Sequence, residues 1–367
     1  MAAPSDLFFR LTPEKVLEAV ETGGLACRNL CYPLNSFENR VYEVELEEPL
    51  VDTGERRLIA KFYRPGRWTE AQILEEHAFL AACEAAEIPV CAAREFPGGG
   101  TLRSIEEIPF ALFDRRAGRA PDELDAVGAE RLGMLVGRVH AVGSRLADED
   151  IARHRLTLDA ESFVRQELDW LEDGDWVPEP LWSRYQSAAL AIADLHDARC
   201  EGLEPDILLH GDLHLGNVLL RDGVFRLLDF DDAAFGPPVQ DLWLAIPGRD
   251  PESAALRERL LVGYERFHDF DRDSLRLVET LRGLRVVRYA AWIAHRWHDP
   301  IFPATWSEFG TDEWWGKETD ALEEILRFAR GQGEAAGWDE PSPREELPEV
   351  AAELTNRDYF WDWEEKK

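Results

Sequence analysis

Residues 207–231 read ILLHGDLHLGNVLLRDGVFRLLDFD. Two short apolar runs, Leu208–Leu209 and Val218–Leu220, flank a segment carrying His210, Asp212, His214 and Asn217, and a third run, Phe225–Leu228, ends on Asp229. Runs of this length between turn residues read as buried strands, so the polar groups at their ends are held still. The spacing H-x-D-x-x-x-x-N, followed twelve residues later by Asp, is what phosphoryl transfer from ATP requires. One carboxylate orients an attacking hydroxyl, while an amide oxygen and a second carboxylate hold magnesium. Taken singly, Asp212 and Asn217 would be ordinary turn residues and Asp229 a strand-end carboxylate. Their order, between strands, reverses that reading.

Outward from this stretch, 367 residues suffice for two domains or a two-lobed fold. Upstream, Thr12-Pro13-Glu14 before Val16, Leu17 and Val20, with Gly23-Gly24 behind, predicts a short helix. RVYEVEL at 40–46 and LIAKFY at 58–63 predict a hairpin, and further strand pieces fall near 101–105 and 109–113. Thr69-Glu70-Ala71-Gln72 has capping-box spacing and opens a helix through Leu80. Beyond DRRAGRAPDE the texture changes to helical periodicity, near 132–139, 160–172, 182–197, 252–267, 273–296 and 317–330. From Gly331 the tail is acidic and rich in glycine and proline, a loosely docked extension that Tyr359, Phe360, Trp361 and Trp363 could anchor.

Composition excludes several functions. With 73 acidic against 41 basic residues the net charge is -32, which opposes sequence-independent binding to nucleic acid or to an anionic membrane. No apolar run is long enough to span a bilayer, and MAAPSDLFFR lacks the features of a signal peptide. Five cysteines at 27, 31, 83, 91 and 200 form no C-x-x-C pair, which suits a reducing compartment. A cytoplasmic protein is expected. Only five of the basic residues are lysine, so Lys61, in an apolar strand, invites a reason.

HGDLHLGN with LLDFDD resembles the catalytic and metal motifs of the aminoglycoside-phosphotransferase-like kinases, which have the two-lobed protein-kinase fold. Within that group NSFENRVY at 35–42, KFYRPGRWTEAQILEEH at 61–77, GPPVQDLW at 236–243 and RWHDPIFP at 296–303 are similar to the bacterial stress response kinase A family of serine/threonine protein kinases. The resemblance implies an α+β fold with a β-rich N-lobe over residues 1–112, a mainly helical C-lobe over 113–330 and the tail from 331. The nucleotide would lie between the lobes near Phe113–Asp114. It implies Asp212 as catalytic base, Asn217 and Asp229 as ligands of Mg2+, Lys61 on the ATP phosphates and Glu76, or else Glu75, orienting Lys61. Ser36 would meet the phosphates. A monomer acting on protein serine or threonine is expected; the alternatives are a small-molecule kinase for an aminoglycoside-, choline- or homoserine-like alcohol, and a nucleotide-binding module without transfer.

The departures from that pattern are specific. The phosphate-covering loop has no G-x-G-x-x-G, so Asn35, Ser36 and Asn39 would supply its donors. Position 211 is glycine where many regulated kinases carry arginine. Asp231 would share a strand face with Asp229, either assisting the metal or lying solvated. His210 is expected to brace the catalytic loop, His214 to hold no metal, and Asp241 to be a buried acceptor securing that loop. Between Asp229 and Asp241, FDDAAFGPPVQ contains no serine, threonine or tyrosine, which predicts a site assembled without activating phosphorylation.

Overall fold

Thr12 caps α1 (Pro13–Thr22) by accepting from the Lys15 N–H, and Pro13 costs nothing in a first turn whose N–H groups have no helical partner. The computed structural model describes residues 4–34, 36–149, 151–204 and 206–331. Asn35 and the tail beyond Gly331, with Tyr359, Phe360, Trp361 and Trp363, lie outside the described residues. After α1 come β1 (Cys27–Leu34), β2 (Arg40–Leu46), β3 (Arg57–Phe62), α2 (Glu70–Ala85), β4 (Arg103–Ile105) and β5 (Ile108–Asp114). The strands form one antiparallel sheet in the order β1-β2-β3-β5-β4, the N-lobe. β1 was not expected: it is an edge strand, exposed along nearly its whole length, and so shows no apolar alternation.

Strand alternation decides what each face of β3 does. Leu58, Ala60 and Phe62 join the core that packs α1 on the sheet. Lys61 points the other way, in register with Val41 and Ala111. On that side lies α2, opened by the expected capping box, in which Thr69 accepts from Gln72 N and the Gln72 side chain accepts from Thr69 N. Its Phe79 meets Phe230 edge to face at 5.3 Å, in a core that joins both lobes.

The C-lobe runs α3 (Ala126–Asp148), α4 (Gln166–Asp173), α5 (Glu179–Cys200), β6 (Ile207–Leu209), β7 (Val218–Arg221), β8 (Val224–Leu227), β9 (Ala234–Gly236), α6 (Val239–Ala245), α7 (Pro251–Tyr264), α8 (Val278–His295), α9 (Ile301–Thr305) and α10 (Asp312–Ala329). The helix expected over 273–296 begins as a 3-10 turn, Arg272–Leu277, before α8. α3 and α7 touch backbone to backbone: a Cβ on Gly133 would lie 1.9 Å from the Leu260 carbonyl oxygen. A second C-lobe core, with Tyr185, Trp243, Leu281 and Trp315, packs α5, α6, α8 and α10 together. All five cysteines are free, Cys27 and Cys83 within the cores. Among the described residues no helix is long and apolar enough to cross a membrane.

Candidate active site

The loop from β6 to β7 is fixed from below by Asp241 on α6, which is wholly buried. Its two oxygens accept from the backbone N–H groups of His210 and Gly211, each at 2.9 Å, and Oδ2 also meets His140 Nε2 at 2.9 Å. Asp241 is thus a buried acceptor that secures the loop, as the sequence suggests. His210 Nδ1 accepts from Asp212 N, so Nε2 carries the proton and donates to the Leu228 carbonyl at 2.7 Å. This histidine braces the loop against the segment that leads to Asp229. Gly211 has φ +85°, and a Cβ there would fall 2.1 Å from the Asp232 carbonyl oxygen, which is the reason no arginine fits.

Asn217 ends the loop. Its Nδ2 donates to the Asp212 carbonyl at 2.9 Å, which leaves Oδ1 as the free acceptor end of the amide. Leu228 N donates to the Asn217 carbonyl at 2.9 Å, and this register sets Asn217 beside Asp229. Asp212 lies within 2.7 Å of Arg285 on α8. Burial alone would push its carboxyl up, but Arg285, with His214 and His210, holds it down at about 2. Arg285 was not foreseen; it is one of several arginines on a long helix, and nothing local marks which one meets the loop.

Across the cleft, Lys61 Nζ sits among three carboxylates: Asp229 at 3.0 Å, Asp231 at 3.1 Å and Glu76 at 3.4 Å. Burial opposes its charge, yet Asp229, Asp231 and Glu76 outweigh it and hold the ammonium well above its usual pKa. Glu76, the most distant of the three, gains least; burial pushes its carboxyl up to about 7 despite Lys61. Glu75 faces elsewhere, accepting from the backbone and ring of His154. Of the two glutamates, Glu76 is therefore the one beside Lys61.

Two expectations about neighbouring polar residues need correction. Asp229 and Asp231 do not share a strand face: β8 stops at Leu227, Asp229 is left-handed at φ 56°, and Phe230–Asp232 make a 3-10 turn. Asp231 is consequently 2% exposed, neither solvated nor free for a metal, with Asn39 Nδ2 at 3.1 Å and Arg67 at 2.6 Å beside Lys61. Asn39 in turn has both ends of its amide engaged, Oδ1 accepting from Arg64 N at 3.1 Å, so it does not serve as a phosphate donor. Ser36 stands in the β1–β2 loop, its Oγ accepting from Asn39 N at 3.3 Å.

Among the described residues no three His, Cys, Asp or Glu side chains gather at metal-binding spacing. The pair Asn217 and Asp229 still fits a hard divalent ion that keeps water and takes phosphate oxygens, since such an ion needs only one or two protein oxygens. The Asp229 side chain is half exposed, with one oxygen on Lys61.

A β-sheet lobe and a helical lobe, with a lysine, an asparagine and aspartates converging between them, define a phosphotransferase of the two-lobed kinase class. The chain belongs to the phosphotransferase enzyme family (APH), whose model matches residues 32–278. It is 35% identical over 314 residues to stress response kinase A of Escherichia coli (strain K12), spanning 85% of this chain and 92% of that one. It is 34% identical over 327 residues to the serine/threonine protein kinase RdoA of Salmonella typhimurium (strain LT2), spanning 88% and 94%. In fold it is similar to an amicoumacin kinase solved with AMP-PNP, Ca2+ and its antibiotic, with a TM-score of 0.67 and 18% identity over 88% of this chain and 96% of that one. A microcompartment-associated aminopropanol kinase superposes with a TM-score of 0.60 and 18% identity, over 86% and 96%.

Proposed function

We propose that this chain uses ATP and Mg2+ to phosphorylate serine and threonine hydroxyls of proteins, as a cytoplasmic monomer in a bacterial stress response. The observation that carries the transfer chemistry is the convergence of Lys61, Asp229 and Asn217 opposite Asp212. The protein acceptor is supported by the relative named as a serine/threonine protein kinase. In this reading Asp212 accepts the proton of the acceptor hydroxyl as its oxygen attacks the γ-phosphorus, and ADP leaves. Arg285 must then yield its place at Asp212 to the hydroxyl. Lys61 binds phosphate oxygens with a point charge that Glu76 and Asp231 keep in place, and Ser36 meets the phosphates from the N-lobe side. Asn217 and Asp229 hold the magnesium ion, which neutralises charge on the phosphates when bound.

A small-molecule alcohol is the second reading, and one observation favours it. The segment between Asp229 and Asp241 is folded into the C-lobe, with Ala234–Gly236 paired to β6, and so forms no long shelf for a peptide. The test is incubation with labelled ATP and Mg2+ against a basic protein, a cell lysate and a panel of amino alcohols. Label on protein serine or threonine is expected. Label on small alcohols alone would overturn the protein acceptor, and tight ATP binding with no transfer at all would leave a nucleotide-binding module.

A further inference from the structure

The β1–β2 loop contains no glycine over residues 36–39, so its shape depends on what surrounds it. What surrounds it comes largely from the far end of α8 and the RWHDPIFP segment. The Glu38 carboxylate accepts from Trp292 Nε1 at 2.6 Å and lies 2.6 Å from Arg296 Nε on Oε2, while its Oε1 takes Arg296 NH2 at 3.0 Å. Arg64 Nε is 3.3 Å and Arg67 Nε 3.6 Å from the same carboxylate. Burial would push Glu38 up, but Arg67, Arg296 and Arg64 together hold it below the usual range.

The backbone of the loop is gripped as well. Arg64 donates from Nε to the Glu38 carbonyl and from Nη2 to the Phe37 carbonyl, each at 2.9 Å, and the same Nη2 also donates to Asp299 at 3.1 Å. Arg40, one residue past the loop, shares that Asp299 oxygen at 3.1 Å, and the Phe37 ring lies edge to face on Trp306 at 5.1 Å. Four C-lobe side chains thus hold an N-lobe loop by charge, hydrogen bond and ring contact.

We propose that Glu38 is a positioning residue for the nucleotide phosphates, and that Trp292, Arg296 and Asp299 form a C-lobe clasp that keeps the Ser36–Asn39 loop in its phosphate-binding shape. The proposal rests on the phosphotransfer reading above, in which this loop covers ATP. Its consequence is that residues of the helical lobe outside the catalytic loop set how tightly the β- and γ-phosphates are held. A clasp that merely glued the lobes together would affect every nucleotide alike, because the adenine end would suffer with the phosphate end.

The deciding experiment is calorimetric titration of wild type, Arg296→Gln and Trp292→Phe with AMP and with Mg-ATP, alongside thermal unfolding. Arg296→Gln is expected to weaken Mg-ATP binding about ten-fold or more by removing a charge-assisted pair, with AMP binding unchanged. Trp292→Phe keeps an aromatic ring against Phe302 and Trp306 but removes the N–H to Glu38 along with the second ring of the indole; about a three-fold loss for Mg-ATP alone is expected, and this variant, read beside its own thermal unfolding, decides the matter if Arg296→Gln does not fold. Equal losses for AMP and Mg-ATP, or no loss in either variant, would overturn the clasp. Wild-type protein that binds no ATP would overturn the phosphotransfer reading together with it, which separates the two failures.

Discussion

The catalytic loop and the loop over Glu38 belong to the same cleft but are held by different means. The first is fixed mostly from within one stretch of chain: Asp241 accepts from His210 N and Gly211 N, His210 donates to the Leu228 carbonyl, and Asn217 donates to that of Asp212. The second is fixed by Arg64, Trp292, Arg296 and Asp299, gathered from both lobes. A locally braced loop keeps its shape as long as its own backbone bonds are made. A loop braced at long range keeps its shape only while the lobes stay packed.

Asp212→Ala should have the largest effect and should separate the two loops outright. A fall in kcat on the order of 10³-fold is expected, with Mg-ATP affinity near that of wild type, because in the proposed mechanism the lost base acts on the acceptor. Loss of ATP binding in a folded variant would place Asp212 on the nucleotide side and erase the distinction. Next in size is Lys61→Arg, where a fall of about 10²-fold, close to that of Lys61→Ala, is expected from steady-state rates. Nζ stands within 3.0 to 3.4 Å of three carboxylates, a pocket shaped for a compact ammonium. Turnover equal to wild type would remove Lys61 from the phosphates.

Asp241→Asn sharpens the comparison through stability. The new NH2 group would face a backbone N–H, leaving a buried donor unmet, at a cost of about 2 to 3 kcal/mol in urea unfolding. An unchanged midpoint would mean that the loop is not braced from α6. The smallest effect expected is none: protein treated with phosphatase and protein preincubated with Mg-ATP should turn over at the same rate. Asp229 to Asp241 contains no hydroxyl side chain, and Phe230, Ala233, Ala234 and Val239 there are buried. A lag abolished by preincubation, mapped to a required phosphate, would overturn that expectation.

The same contrast governs how much of the molecule could be read from its sequence. His210, Asp212, Asn217, Asp229 and Asp241 were legible because spacing and strand ends are local properties, and so were the capped helices α1 and α2. Glu76 could not be told from Glu75 without the register of α2 against β3. Asp231 was misplaced because strand alternation was carried past Leu227, where the left-handed turn at Asp229 breaks it. Arg285 beside Asp212 was beyond reach because periodicity says only that a helix is there, and the arginines around Glu38 because Arg64, Arg67 and Arg296 stand outside the helices and meet a partner distant in sequence. The edge strand β1 failed for the opposite reason, having no buried face to pattern.

The scattered thiols bear on reagents rather than on phosphate. Only the thiolate attacks peroxides, disulfides and alkylating agents. Burial pushes Cys27 and Cys83 up to about 12 and Cys91 and Cys200 up to about 11, and it raises Cys31 as well. At neutral pH a thiol at pKa 11 is ionised about one time in ten thousand, so Cys27, Cys83 and Cys91 should react more slowly than an ordinary surface cysteine. Maleimide labelling of the native protein should accordingly be slow at Cys27 and Cys83, which are buried within the cores.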